Sequence, residues 1–284
     1  LPKGLYRYNG IEKEREDMVQ IDKEKCTGCG LCVRDCIQRH IQVFSGKAEV
    51  KGSACILCGH CVAICPRNAV SIDNYNMDEV SSLPKREFQI LPEKLFHFMK
   101  DRRSIRRFTQ EPITREDLDM ILETGRYTPT GGNAQTTKFL VLEQRLDEVR
   151  EKAIQVLYET AIAQRSEKRP YRDMFVRVHK EYQESGKDGL FYHGQVVIII
   201  LDKKNSNNVN AALAASRMEL MAVSLGLGAC FIGFLGRAAE VSEELRKMLE
   251  IGEDYQIATT LTLGYPAVKY QRTAPRAAAE VKWM

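Results

Sequence analysis

"CTGCGLCVRDC", residues 26–36, and "CILCGHCVAICP", residues 55–66, decide how this chain is read. Each stretch carries four cysteines spaced Cys-x2-Cys-x2-Cys-x3-Cys. Every cysteine of the first recurs 29 positions later: 26 and 55, 29 and 58, 32 and 61, 36 and 65. Of nine cysteines, only Cys230 lies outside the pair. Three kinds of chemistry compete for such a set. Disulfides need an oxidising compartment, and "LPKGLYRYNGIEKERE" at the N-terminus has no apolar stretch of a secretory leader, so reduced thiols in the cytoplasm are expected. Zinc also uses paired Cys-x2-Cys, but a zinc ribbon takes two cysteines from each half where this chain offers four.

The third chemistry fits better. Cys-x2-Cys-x2-Cys-x3-Cys-Pro is the spacing of bacterial ferredoxins that bind 4Fe–4S clusters, and Cys65-Pro66 completes it in the second half. The first three cysteines of such a run lie on a tight loop whose amides can hydrogen-bond to sulfur. The fourth begins a helical turn directed away and reaches the other cluster. Crossed ligation is expected: Cys26, Cys29, Cys32 and Cys65 around one cluster, and Cys55, Cys58, Cys61 and Cys36 around the other. Ile37 stands where a proline often follows, which affects turn rigidity more than ligation. His60, between Cys58 and Cys61, reads as a bystander beside four thiolates.

A two-cluster module needs only about 55–75 residues, because the clusters replace much of a hydrophobic core. The chain has 284 residues, enough for that module and one ordinary domain. The expected division is a ferredoxin-type module over 1–75, a linker over 76–92, where two prolines interrupt a stretch of little periodicity, and a second domain over 93–284. The longest apolar run, "VVIIIL" at 196–201, is far short of a membrane span and reads as a buried strand. The net charge is +4; residues 1–75 hold 11 Lys and Arg against 9 Asp and Glu, a slight excess that balances anionic cluster thiolates. Neither nucleic-acid binding nor membrane association is expected.

In the second domain, "PITREDLDMILETGRYTP" signals a helix. Thr114 is placed as N-cap with Asp117 three residues on, and Leu118, Ile121 and Leu122 share a face. "KFLVLE" and "YQIATTLTLGYP" read as strands, residues 210–225 as an alanine-rich helix for a core or a dimer interface, and 146–183 as two surface helices broken at Pro170. Helices and strands do not alternate as βαβ units, so an α+β layer structure is expected. "GLGACFIGF", 226–234, contains Gly-x-Gly, but its glycines follow a helix and precede an apolar segment. A dinucleotide loop would follow a strand and open a helix, so that reading fails.

Two segments remain as ligand sites. "KDRRSIRRF", 100–108, gathers four arginines and a serine within six residues, with Ile105 and Phe108 as anchors to the core. A charge run is more often a solvated face, yet guanidinium forks match phosphate. "TPTGGNAQTTKF", 128–139, is a turn on the plain reading. Its glycines also allow close backbone approach, and Asn133 and Gln135 supply amides suited to a heterocycle edge.

From about Glu93 onward the chain resembles the nitroreductase family of FMN-dependent oxidoreductases, through "RRSIRRF", "YTPTGGNAQ", "SLGLGACFIGF" and "LGYP" followed by "RTAPR". With the cysteine block, it is similar to ferredoxin–nitroreductase fusions over nearly its whole length. The resemblance implies a central mixed sheet flanked by helices and an intertwined homodimer with FMN at the subunit interface. By motif position, Arg102, Arg103, Ser104 and Arg106 would hold the FMN phosphate and ribityl chain. Pro129, Thr130, Asn133 and Gln135 would line the ribityl and pyrimidine side. Backbone amides at Ile232 and Gly233 would face flavin N5 and O4, and Arg272 and Arg276 would approach the phosphate. Where many relatives have Ala-Pro ahead of the central strand, this chain reads "FYHGQVVIII". Tyr192, His193 and Gln195 therefore either line a distinctive substrate pocket or form an ordinary surface loop.

Together these readings imply an enzyme without a classical catalytic residue. Single electrons from reduced ferredoxin or flavodoxin would pass through two clusters to FMN, which would reduce a small organic electrophile of nitroaromatic type. The same fold also serves enone reduction, reductive dehalogenation or dehydrogenation. A further alternative is an electron-transfer subunit for a partner protein.

Overall fold

A computed structural model of the chain describes residues 6–8 and 11–13, as backbone, and 18–52, 55–82, 90–163 and 171–284. It separates into two compact units. The first comprises Leu1–Gln89 with Thr130–Ala134, and the second Ile90–Pro129 with Gln135–Met284. Residues 83–89 of the expected linker, and the expected helix break at Pro170, lie outside the described residues.

In the first unit, a hairpin of β1 (Tyr6–Tyr8) and β2 (Ile11–Lys13) precedes two related halves. β3 (Val19–Ile21), α1 (Leu31–Asp35) and β4 (Ile41–Phe44) form one, and β5 (Lys47–Val50), α2 (His60–Ala63) and β6 (Val70–Ile72) the other. β3 pairs antiparallel with β6, Val19 opposite Ile72, and β4 with β5, Ile41 opposite Val50. Each short helix starts after a left-handed glycine, Gly30 at φ 73° and Gly59 at φ 74°, a conformation that costs a residue with Cβ about 1–2 kcal/mol. The core is small. Met18, Val19, Leu57, Val70 and Ile72 form one cluster of buried side chains, and Cys26 and Cys32 pack with Ile41, Ala48 and Ala69 in another. Cysteines thus occupy positions that a larger domain would give to hydrocarbon.

The second unit runs α3 (Pro92–Asp101), α4 (Arg115–Arg126), β7 (Lys138–Leu142), α5 (Leu146–Ala163), α6 (Arg172–Ser185), β8 (Val196–Lys203), α7 (Val209–Ser224), β9 (Gly228–Phe231), α8 (Phe234–Val241), α9 (Glu243–Met248) and β10 (Tyr255–Gly264). The sheet order is β7-β8-β10-β9, with every named pair antiparallel. Ser104 adds a parallel bridge to Ala229 on β9, which makes the sheet mixed.

β8 explains why "VVIIIL" has no polar alternation. Val196, Ile198 and Ile200 pack with Leu118, Ile121 and the α7 alanines, whereas Val197, Ile199 and Leu201 pack with α5, α8 and α9. With helices on both faces, successive side chains of a strand are all buried. Thr114 caps α4 as the sequence implies, its Oγ1 accepting from Asp117 N–H at 3.1 Å, worth about 1 kcal/mol. The small side chains of α7 are spacers: Ala211, Ala214, Ala215 and Ala222 are buried together with Met218. Facing them on α4, a Cβ on Gly125 would lie 2.8 Å from Met218 Sδ. Among the described residues no helix is long and apolar enough to cross a membrane.

Candidate functional site

The eight repeated cysteines of the first unit divide between two cavities. Cys26, Cys29, Cys32 and Cys65 line one, with Ile21, Ala48 and Val70 in its wall. Cys36, Cys55, Cys58 and Cys61 line another, with Val19, His40, Leu57 and Ile72. None of the nine cysteines forms a disulfide. Among the described residues, no three His, Cys, Asp or Glu side chains close around a single metal ion; the cysteines instead ring these larger cavities.

The repeat extends to the hydrogen bonds at sulfur. Gly28 N–H donates to Cys26 Sγ and Leu57 N–H to Cys55 Sγ, both at 3.4 Å. His40 N–H donates to Cys36 Sγ and Ala69 N–H to Cys65 Sγ, both at 3.3 Å. Gly28 has no room for a side chain, since a Cβ there would lie 2.1 Å from Gly46 O.

Burial, followed by the neighbouring Cys55 and Cys58 and, more weakly, Cys36, pushes the Cys61 thiol up to about 12. Burial also raises Cys32. At Cys26 burial works the same way, but the amides of Ala48 and Gly28, with Lys47 and Lys23, outweigh it and hold the thiol below its ordinary value. Four such thiols become thiolates together only when a cation compensates them, so iron binding releases protons here. His40 is buried, its Nδ1 3.4 Å from Gly52 O. Its Nε2 has no partner among the described residues, and the residue lines the second cavity, where a bound group would meet it. The cavities and their donors fit iron–sulfur clusters. His60 pairs with the exposed Asp35 carboxylate at 3.1 Å.

In the second unit the arginine run is an extended segment laid along the sheet edge. Ile105 N–H donates to Ala229 O at 2.9 Å, and Phe108 bridges to Pro266. Ile105 and Phe108 are buried as expected, so the intervening polar side chains are held in a fixed order. Arg102 Nη1 pairs with Glu219 Oε1 of α7 at 2.7 Å. Burial outweighs the pull of Arg102 and holds the Glu219 carboxyl above the usual carboxylate range. Arg103 lies over the Tyr270 ring at 5.3 Å, which brings the C-terminal tail to the run, and Arg106 lies over the Tyr192 ring at 5.8 Å. Burial raises the Cys230 thiol, against the opposing pull of Arg106 and Ser104.

The other motif residues are distributed as follows. Pro129 and Gln135 are exposed in the second unit, whereas Thr130 and Asn133 belong to the first. Asn133 Nδ2 there donates to Ile56 O and Leu57 O. The expectation for Ile232 needs correction, because its N–H donates to Thr260 O at 2.8 Å, extending the β9–β10 ladder by one residue. That amide is not available to a ligand, and Gly233, at the N-cap of α8, is the position left. Arg272 and Arg276 are exposed on the tail, and Arg276 Nη1 donates to the Pro275 carbonyl.

The loop before β8 is fixed by a residue that the sequence reading passed over. Buried Asp188 accepts from the amides of Leu190, Phe191 and His193, and its carboxylate pairs with Arg150 at 2.7 Å. His193 Nε2 accepts from Asp188 N–H, and Gln195 Nε2 donates to Thr109 O and His193 O. The turn chemistry of "DGLFYH" was the available signal. His193 and Gln195 brace this loop, and Tyr192 is the member that faces Arg106.

Gly228 of "GLGACFIGF" has a packing reason. A Cβ on Gly228 would lie 2.6 Å from Ile105 Cγ1. Gly228→Ala is therefore expected to displace the arginine run, costing about 1–3 kcal/mol of stability as overpacking does. Thermal unfolding should shift down and flavin retention fall, with iron content unchanged.

An iron–sulfur module and an α+β unit edged by an arginine run define an oxidoreductase with two kinds of redox centre. Residues 99–265, more than half of the chain, match the model of the nitroreductase family, and residues 18–66 match that of the 4Fe-4S dicluster domain. The chain belongs to the nitroreductase family and is a flavoprotein oxidoreductase with an iron–sulfur domain.

A nitroreductase from Bacteroides fragilis, solved with bound FMN, superposes with a TM-score of 0.54 at 23% identity, covering 66% of this chain and 98% of its own, a likeness of fold. MhqN of Bacillus subtilis, whose name assigns it provisionally as an NAD(P)H nitroreductase, is 24% identical over 201 residues, covering 62% of this chain and 90% of its own. The ferredoxin-type segment is 35% identical over 57 residues to one component of an ion-translocating oxidoreductase complex from Methanosarcina acetivorans; the match covers 20% of this chain and 22% of that component.

Proposed function

We propose that the protein is a cytoplasmic FMN enzyme that accepts single electrons from a low-potential carrier such as reduced ferredoxin or flavodoxin and reduces a small organic electrophile of nitroaromatic type. The observation that carries this reading is the presence, in one nitroreductase-family chain, of two separate four-cysteine cavities. Bound clusters supply one-electron carriers, and bound FMN converts single electrons into a hydride equivalent.

The chain's own residues hold and orient these groups. Cys26, Cys29, Cys32 and Cys65 ligate one cluster, and Cys36, Cys55, Cys58 and Cys61 the other. Arg103, Ser104 and Arg106 bind the FMN phosphate, with Arg272 and Arg276 reaching it from the tail that Tyr270 brings to Arg103. Arg102 orients the run through Glu219. Pro129 and Gln135 flank the ribityl side, and the Gly233 amide faces the flavin edge, in a first turn whose N–H groups favour an electron-rich atom. Thr130 and Asn133 are assigned to the cluster-binding unit.

A homodimer completes the site. Leu95, Phe96 and Met99 of α3 and Val209 and Leu213 of α7 are exposed apolar side chains that a second copy would cover.

The test is content and turnover. Protein purified without oxygen should contain about eight iron atoms and one FMN per chain. It should reduce a nitroaromatic with reduced ferredoxin as donor. Stoichiometric zinc with little iron would overturn the cluster assignment. A flavin that is reduced yet passes electrons only to another protein would make the chain an electron-transfer subunit.

A further inference from the structure

The segment Thr130–Ala134 is a short motif whose chemistry is spent within the cluster-binding unit. Gly131–Asn133 forms a single 3-10 turn closed by Ala134 N–H donating to Gly131 O at 3.1 Å. Gly132 at φ 57° and Asn133 at φ 53° are both left-handed, which explains Gly and Asn in succession. The turn presents the Asn133 amide, and its Nδ2 donates to Ile56 O at 3.0 Å, Leu57 O at 2.9 Å and Tyr75 Oη at 3.2 Å. The Tyr75 hydroxyl donates its own proton to Leu57 O at 3.0 Å.

Two of these acceptors, Ile56 O and Leu57 O, belong to the loop between Cys55 and Cys58. Ile56 O and Leu57 N–H are the two ends of one peptide group, and that N–H is the donor to Cys55 Sγ. A donor on a peptide carbonyl polarises the group and strengthens the bond made by its N–H. The first half of the repeat has Gly28 where the second has Leu57, and both are left-handed, at φ 69° and 54°. Glycine takes that conformation freely, but leucine costs about 1–2 kcal/mol and holds it only where its surroundings over-determine it. Leu57 is fixed twice, by burial of its side chain among Met18, Val19 and Ile72 and by the clamp on its carbonyl.

We propose that Asn133 is a positioning residue for the cluster held by Cys36, Cys55, Cys58 and Cys61, and that it raises that cluster's reduction potential through the Ile56–Leu57 peptide. The inference rests on the cluster assignment above. N–H···S bonds favour the more negative, reduced cluster, so relaxing the clamp shifts the potential downward.

The test is a redox titration of the holoprotein, with both clusters followed by electron paramagnetic resonance. Cys58→Ala removes a ligand of the second cluster however the fourth ligands are shared, and so identifies its signal. In Asn133→Gly, which keeps the left-handed backbone without strain, the second cluster's one-electron equilibrium should fall three- to tenfold, tenfold being about 59 mV. The first cluster and the flavin content should stay unchanged. Tyr75→Phe should shift the same signal in the same direction by less. If Asn133→Gly loses the second cluster outright while the first remains, the positioning role stands and Tyr75→Phe supplies the potential. An unchanged second potential, an equal shift of both clusters, or flavin loss with both potentials intact would each overturn it. Failure of the cluster assignment itself would show earlier, as wild-type protein lacking two cluster signals.

Discussion

Cys36→Ala is expected to damage the cluster of the other half of the repeat. Cys36 belongs by sequence with Cys26, Cys29 and Cys32, yet it lines the cavity of Cys55, Cys58 and Cys61, and its charge is felt at the Cys61 thiol. Removing it leaves three cysteines and one iron without thiolate, whereas the first cavity retains Cys65. Iron should fall from about eight atoms per chain toward about four, or to an oxygen-labile three-iron form, with one cluster signal intact. Reduced ferredoxin should then support little or no turnover, while a small chemical reductant that acts on the flavin directly should still work. Cys36→Ala combined with Cys55→Ala should be non-additive, as for two ligands of one site. If spectroscopy instead shows the cluster of Cys26, Cys29 and Cys32 perturbed, the crossed arrangement is wrong.

The eight cysteines were legible because a cluster loop draws its ligands from a few adjacent residues, so the chemistry is written in local spacing. The cap at Thr114 and the core strand Val196–Lys203 were legible for a similar reason: both follow from a window shorter than one element. What escaped was long-range. Asn133 meets Ile56 across 77 residues and Arg102 meets Glu219 across 117, and neither pairing leaves a periodic trace. The Ile232 amide was misjudged because β-pairing runs one residue beyond the strand, a matter of register against Thr260 that no short motif encodes. "TPTGGNAQ" shows a further limit. Glycines beside an amide mark a place where backbone comes close to something, and the something here includes the Cys55–Cys58 loop.

Arg106→Ala and Arg102→Ala should fail in different ways although the two residues share one motif. Arg106 is exposed, and the partners the structure gives it are the Tyr192 ring and the Cys230 thiol. Its charge is therefore disposed toward a ligand. A charge-assisted bond to phosphate is typically worth about 1.5–3 kcal/mol, so Arg106→Ala should weaken FMN binding roughly ten- to a hundredfold, with melting temperature and iron content nearly unchanged. Arg102 has already spent its charge on Glu219, a carboxylate buried on α7. Arg102→Ala leaves that carboxylate without its counter-ion. Breaking a buried pair from one side costs about 3–5 kcal/mol, so the loss should appear first in thermal stability, and Glu219→Gln should recover part of it. Flavin titrations and melting curves on the two variants separate the roles. Unaltered FMN affinity in Arg106→Ala would remove the phosphate assignment from the arginine run, and an unaltered melting temperature in Arg102→Ala would remove the ion pair from the framework that holds it.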